Sequence, residues 1–402
     1  MYDVVALGEL LIDFIQNGNS SNGNPVFEAN PGGAPCNVLS MLTGLGYKTA
    51  FIGKVGDDYF GKMLGNTIKR IGISDKGLIY DKEVNTTLAI VHTMEDGDRD
   101  FSFYRKPGAD IMLDEKDVCK ELIENCRIFH FGSLSLTDEP AATATKAAVT
   151  YAKQMGRWIS FDPNLRKTLW NDLEHAKTAI WYGIQECDIL KIADDEIEWL
   201  TGTNDYDQGV RIIRKQSKAK MINVTLGKKG SISYYCNEKV FGKPFLSKAT
   251  VDTTGAGDTF CANVLGFVLD HGLDNLGKKQ LEQMLLFANA AASIVTTRKG
   301  AICSMPKKEE ILFHAERTDS IDGNGCSDTC HRRIYDKSSL GNDRYVPPES
   351  NRNHQQIPSE RSGRRSRRPG RHGSWPVHCR YGILQCRTWN RPFHGTHTWS
   401  SL

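Results

Sequence analysis

The richest chemistry in the sequence lies in one run, Val251-Asp252-Thr253-Thr254-Gly255-Ala256-Gly257-Asp258-Thr259-Phe260. Residues 262–269 follow with helical spacing, so the small residues sit just ahead of a helix. Small residues there let bare backbone N–H groups approach an anion, and the helix N-terminus adds the positive end of its dipole. Asp258 falls in the first turn and faces the same space, where the dipole favours its ionised form. An anion cradle beside a carboxylate suits phosphoryl transfer. The cradle stabilises charge on the transferring group, and the carboxylate accepts the proton of an attacking hydroxyl. The same spacing equally fits a glycine-rich cap whose Asp258 only complements the dipole.

A sheet has to present such a helix. Residues 4–7, 48–54, 128–131, 158–161, 189–192, 221–226 and 231–235 read as strands, and 36–45, 60–70, 141–155, 195–200, 257–271 and 281–296 as helices. This alternation is α/β, a mostly parallel sheet covered on both faces. Residues 10–15 continue extended, and 17–24, rich in Gly, Asn and Ser, must turn. Segments 87–94 and 99–104 flank Glu95-Asp96-Gly97-Asp98 as a hairpin. They break the alternation over about 12–30 and 87–110, as a small β-sheet lid would. No internal repeat is evident.

The chain has 402 residues, 39% hydrophobic and 25% charged, enough for one large domain or two of medium size. No stretch approaches the roughly 18 consecutive apolar residues of a membrane span. The first residues lack a basic segment followed by a cleavable apolar one, so a cytoplasmic protein with no membrane partner is expected. Eleven Cys, scattered singly, read as reduced thiols.

The net charge of +3 conceals a break at Arg317. Beyond it lie 14 of the 51 Lys and Arg but only 7 of the 48 Asp and Glu, so the net charge is −4 before the break and +7 after it. Residues 318–402 have one Lys to 13 Arg, no Ala, no Met, and 20 apolar residues in 85, too few for a core. They read as a disordered or non-native extension, of the kind a shifted reading frame produces. Two other readings compete. Arg361-Ser362-Gly363-Arg364-Arg365-Ser366-Arg367-Arg368 could serve as a nucleic-acid arm. Cys326, Cys330, His331, His378, Cys379 and Cys386 could bind a metal, although zinc ligands usually come in tighter pairs.

The run at 251–260 resembles the second signature of the ribokinase-like (PfkB) family of carbohydrate kinases. Upstream, Asn30-Pro31-Gly32-Gly33-Ala34-Pro35-Cys36-Asn37-Val38 looks like that family's first signature, a Gly-Gly turn that abuts the sugar. Gly8-Glu9-Leu10-Leu11-Ile12-Asp13, Tyr104-Arg105-Lys106-Pro107-Gly108-Ala109-Asp110 and Phe161-Asp162-Pro163-Asn164-Leu165-Arg166 are similar to segments of bacterial fructokinases within it. For residues 1–317 the resemblance implies a Rossmann-like, mostly parallel sheet with helices on both faces, plus the small lid, through which many members pair as homodimers.

The resemblance further implies ATP-dependent phosphorylation of D-fructose to fructose 6-phosphate, with Mg²⁺ on the ATP phosphates. Asp258 then stands at the catalytic base, and Gly255, Ala256 and Gly257 at the anion hole. Asp13, Gly32, Gly33 and Asn37 fall at sugar positions, and Arg105 and Arg166 at clamps for sugar oxygens or phosphate. Lys191 and Glu196 lie in the segment of the Asn-x-x-Glu motif, whose Glu organises Mg²⁺ and its waters; Ala193 replaces the Asn. Thr225, Gly227 and Gly230 match the nucleotide loop, and Asn289 the position near adenine and ribose. Asp252, Thr254, Gly300 and Ser304, with carbonyls of Val295 and Arg298, match the K⁺ site of potassium-activated members.

Read without the family, Asp13 is a strand-end cap, Arg105 a solvated lid residue, 225–230 a plain hairpin turn, and Asn289 a polar group needing a buried partner. A 2-keto-3-deoxygluconate kinase is the alternative within the family, because an aromatic-x-Arg on the lid and an Arg near 166 also suit an acid's carboxylate. Ribokinase or nucleoside kinase activity fits less well, since Pro107-Gly108-Ala109-Asp110 favours a ketohexose.

Overall fold

Short apolar runs bounded by glycine pair into a nine-stranded sheet in the computed structural model, which describes residues 1–93, 99–247 and 249–321. In chain order the strands are β1 (Tyr2–Leu7), β2 (Leu11–Asn19), β3 (Pro25–Gly32), β4 (Thr49–Gly56), β5 (Ser74–Asp81), β6 (Leu88–Thr93), β7 (Arg99–Tyr104), β8 (Cys126–Gly132), β9 (Trp158–Asp162), β10 (Ile189–Ala193), β11 (Met221–Thr225), β12 (Ser231–Tyr235) and β13 (Glu238–Gly242). The helices are α1 (Ala34–Gly44), α2 (Tyr59–Ile71), α3 (Lys120–Glu124), α4 (Ala141–Gln154), α5 (Leu173–Glu186), α6 (Asp194–Thr201), α7 (Tyr206–Gln216), α8 (Ala256–His271), α9 (Lys278–Val295) and α10 (Lys308–Ile321).

The large sheet runs β13-β12-β11-β10-β9-β8-β1-β4-β5. From β11 to β5 every pair is parallel, and β12 and β13 close one edge as an antiparallel hairpin. Parallel strands are buried on both faces, which is why β1 reads as an unbroken apolar run over 4–7 and why even His130 of β8 is buried. One face packs Val4, Ala6, Ile128, Ile189 and Met221 under α1, α8 and α9. The other packs Val5, Leu7, Phe129, Phe161 and Leu190 against Ala144, Ala148, Ile180 and Ile184 of α4 and α5. Helix α8 is buried at every position from Asp258 to Leu269, the mark of a helix enclosed on all sides.

A second sheet of four strands, β3-β2-β6-β7, stands apart from the first. Here the expectation for residues 17–24 needs correcting. Strand β2 continues to Asn19, and the turn starts at Ser20, whose hydroxyl accepts the Asn24 amide at 3.2 Å. Pairing with β3 extends past a bulge between Gln16 and Asn19 and holds the polar residues extended. Helix α1 likewise starts at Ala34, ahead of the expected 36, because Pro35 is tolerated in a first turn.

Helix α10 runs past the compositional break at Arg317. The nucleic-acid and metal readings rest on residues that lie outside the described ones. The described cysteines are all free, with Cys36, Cys126, Cys187 and Cys261 buried. No helix among the described residues is long and apolar enough to cross a membrane.

Candidate active site

A cleft of 720 Å³ opens where β1, β9 and β10 end, with Asp13 of β2 and Phe103 of β7 contributed by the smaller sheet. The loop before α8 forms one wall. Gly255 caps that helix at φ 79°, a conformation glycine adopts freely, and a Cβ there would lie 2.9 Å from Ala301 Cβ. A Cβ on Gly257 would lie 3.0 Å from the Lys191 ammonium. Small residues are therefore a packing requirement at this helix head as well as an opening for an anion.

Asp258 is 8% exposed and its Oδ2 accepts the Asn37 amide at 2.7 Å. Burial, and then the charge of Asp162, push its carboxyl up to about 6, against the pull of Asn37, Lys191 and Arg166. It is thus ionised at neutral pH yet basic enough to take a proton. Lys191 on β10 donates to Asp162 Oδ1 of β9 at 3.1 Å, with both side chains buried. Burial opposes the ammonium, but Asp162, Glu196 and Asp258 together outweigh it and hold Lys191 charged.

On the opposite wall the first signature meets Asp13. A Cβ on Gly32 would lie 2.1 Å from Asp13 Oδ2, so the turn must be bare for the carboxylate to lie where it does. Gly33 (φ 120°) presses as closely on the Glu9 carbonyl, 2.4 Å from its would-be Cβ. Gly32→Ala is expected to displace the Asp13 carboxylate and to cost about 1–3 kcal/mol of stability, read in chemical denaturation.

Arg166 lines the cleft from the segment after β9. That segment turns at Asn164, whose φ of 44° asparagine tolerates better than most residues. Glu196 braces it: Oε1 accepts Leu165 N–H at 2.7 Å and Oε2 accepts Ala193 N–H at 2.8 Å. Arg105 is not in the cleft lining. It is 6% exposed; Nε donates to Asp110 at 2.7 Å, Nη1 to Thr137 Oγ1 at 2.8 Å and Nη2 to the Leu134 carbonyl at 2.9 Å. It pins the end of β7 to the segment after β8 and is neither solvated nor turned toward the pocket.

Thr225, Gly227 and Gly230 surround the β11–β12 turn, outside the cleft lining. Gly230 (φ 101°) has the Gly242 carbonyl 2.2 Å from its would-be Cβ. Asn289 is buried beside them; Ser231 Oγ donates to its Oδ1 at 3.0 Å, and its Nδ2 donates to the Lys243 carbonyl at 3.1 Å.

Asp252 holds the loops together by accepting Thr254 N–H at 2.7 Å and Gly300 N–H at 3.2 Å. Arg298, on the same loop after α9, pairs with Glu310 and donates to the Ser304 carbonyl, while Ser304 Oγ donates to the Lys299 carbonyl. Arg298 N–H also bonds the Val295 carbonyl at 3.1 Å. No group of three or more His, Cys, Asp or Glu able to hold a metal exists among the described residues. A cation here would rest on one carboxylate with carbonyl and hydroxyl oxygens, a donor set for a hard ion.

Glu9, Asp162, Asn164, Lys167 and Trp199 also belong to the site's walls or support, although no role was expected of them. The first three stand inside the quoted motifs. Lys167 and Trp199 line the cleft with the ammonium 5.8 Å from the indole ring, a contact that no local pattern announces.

The model for "pfkB family carbohydrate kinase" matches residues 1–308. Fructokinase-1 of Zea mays is 40% identical over 316 residues, 78% of this chain and 98% of that one. The crystal structure of a fructokinase with bound ATP from Xylella fastidiosa superposes with a TM-score of 0.72 at 27% identity, covering 79% of this chain and all of that one. A fructokinase from Vibrio cholerae O395 with fructose, ADP and calcium bound gives 0.71 at 28% identity over 78% and 99% of the two chains. A double mutant of that enzyme with fructose, ADP and potassium bound gives 0.70 at 27% identity over the same shares.

Proposed function

Because the chain belongs to the pfkB family of carbohydrate kinases, we propose that it transfers the γ-phosphoryl group of ATP to D-fructose, giving fructose 6-phosphate. The observation that carries this reading is Asp258, ionised, buried and held by Asn37 at the glycine-lined head of α8. It takes the proton of the attacking hydroxyl while the amides of Gly255, Ala256 and Gly257 stabilise charge on the transferring group. Asp13, Gly32, Gly33 and Asn37 bind the sugar, and Arg166 and Lys191 face the phosphoryl group. Thr225, Gly227 and Gly230 hold the nucleotide, while Asn289, its side chain committed to Ser231 and the Lys243 carbonyl, braces the strands behind them and does not itself bind.

Glu196 would organise Mg²⁺ through water, and the ion would neutralise charge on the ATP phosphates. The oxygens of Asp252, Thr254, Val295, Arg298, Gly300 and Ser304 would hold K⁺ and steady the anion-hole loop through the Gly255–Ala301 contact. The four-stranded sheet would act as lid and as the face between two copies of the chain. Val26, Phe27 and Tyr104, exposed on it, supply apolar area for that contact. A cytoplasmic location accords with the free cysteines.

The orientation of Arg105 favours a neutral sugar over 2-keto-3-deoxygluconate. Its guanidinium is committed to Asp110, Thr137 and Leu134, so it offers no fork to an acid's carboxylate. Coupled assays with ATP, Mg²⁺ and either K⁺ or Na⁺ are expected to give fructose a kcat/KM at least about tenfold above ketodeoxygluconate, ribose and adenosine. A preference for the acid would refute the assignment.

A further inference from the structure

Glu9 directly follows β1 and Gly8, and it is 3% exposed, yet it lines the cleft beside Asp13, Gly33 and Asn37. Helix α1 explains why an acid stands there. Its N-cap is Gly33, which has no side chain to cap with, its first turn holds no acidic residue, and Pro35 brings no N–H. Glu9 supplies the acceptor from another element, its Oε1 taking the Ala34 N–H at 2.8 Å. One turn further along the same helix, Asn37 donates to Asp258 at 2.7 Å. Glu9, the Gly32–Gly33 turn, Asn37 and the base thus form one connected series.

We infer that Glu9 is a positioning residue whose carboxylate caps α1 across the fold and thereby sets both the turn beside the sugar and the amide that holds the base. The inference rests on the kinase reading for its substrate but not for its geometry. A carboxylate at a helix N-terminus gains from the dipole and from a charge-assisted hydrogen bond. Burial opposes the charge, and Asp110 adds to that. The backbone amides of Glu9 and Ala34, with Arg105, pull the other way, and the carboxyl lies at about 7. The groups around it are Arg105 at the end of β7, Asp110 in the 109–112 turn and Cys36 on α1, with Asp13 and Asp258 sharing the cleft. The folded value lies above the ordinary 4.5, so the native state keeps a proton that the unfolded chain has released between pH 4.5 and about 7. Glu9 therefore makes the fold less stable as pH rises through that window, while its cap on α1 strengthens.

The test compares Glu9→Ala and Glu9→Gln with wild type in the full chain, using ATP and the best sugar of the panel, from pH 6 to 9. Glu9→Ala is expected to raise KM for the sugar about fivefold, to lower kcat, and to speed amide exchange over residues 33–38. Glu9→Gln, whose amide oxygen still accepts the Ala34 N–H, is expected to restore all three to the level wild type shows below pH 7. It should also lose the fall in sugar KM that wild type shows as pH passes 7. An Ala variant with unchanged KM and unchanged exchange overturns the inference, and so does a Gln variant as impaired as the Ala variant. A wild type inactive on every sugar would sink the kinase reading instead, and the exchange comparison would still decide the cap.

Discussion

Asp258→Asn lowers kcat by about 10³-fold while KM for sugar and ATP stays within about threefold, as expected for loss of a general base. The substitution is nearly isosteric, and the new carbonyl can still accept the Asn37 amide, so the loss reports chemistry and not collapse of the site. The pH profile gives a second check. The base must be ionised in the free enzyme and its carboxyl lies at about 6, so wild-type kcat/KM falls tenfold per unit below that value, and the residual rate of the variant does not. Stability moves the other way. The folded value lies above the ordinary 3.8, so the native state holds a proton between pH 3.8 and about 6 that the unfolded chain has released, and stability drops as pH rises through that window. Removing the charge is therefore expected to stabilise the protein at pH 8 by on the order of 2 kcal/mol in chemical denaturation. A variant with near-normal turnover, or one less stable than wild type at pH 8, contradicts the assignment.

The parts of the site written in local pattern were legible; the parts made by register were not. The glycine-rich head of α8 and the Gly32–Gly33 turn read directly, because both need bare residues at fixed spacing. The central strand β1 reads as an apolar run over 4–7 because both of its faces are covered. Strands β5 and β13 did not, since each is an edge that pairs on one side only and carries Ser74, Asp75, Lys76 or Glu238, Lys239. Helix α7 sets buried Val210 and Ile213 opposite exposed Arg211, Arg214 and Lys215, an amphipathic pattern that a search for apolar runs passes over. Arg105 shows the converse limit. Its motif is plain in the sequence, but whether its guanidinium faces the pocket depends on Asp110, Thr137 and Leu134, which the lid brings to it. Glu9 and Asp162 lie in recognisable motifs for the same reason without a readable task, because each acts on a segment distant in the chain.

The pair of Asp162 and Lys191 carries the other large effect. Both are buried, and Lys191 Nζ lies against Gly257 at the head of α8, facing the charges of Asp162, Glu196 and Asp258. Asp162 Oδ2 has no hydrogen-bond partner, so Lys191 carries most of the compensation for that carboxylate. Lys191→Met is expected to lower kcat about 10²–10³-fold, the loss seen when a group stabilising transition-state charge is removed. It also leaves Asp162 buried and unpaired, a cost of about 3–5 kcal/mol in unfolding free energy. The acid limb of the profile should shift to higher pH, because Lys191 draws the Asp258 carboxyl down and Asp162 pushes it up. The double variant Asp162→Asn with Lys191→Met separates the two effects. With no charge left to neutralise, it should regain most of the stability. It should not regain turnover, because in the proposed mechanism Lys191 is the cation that faces the phosphoryl group. If the double variant instead recovers wild-type kcat, Lys191 serves only to neutralise Asp162, and the anion hole works through its backbone amides alone.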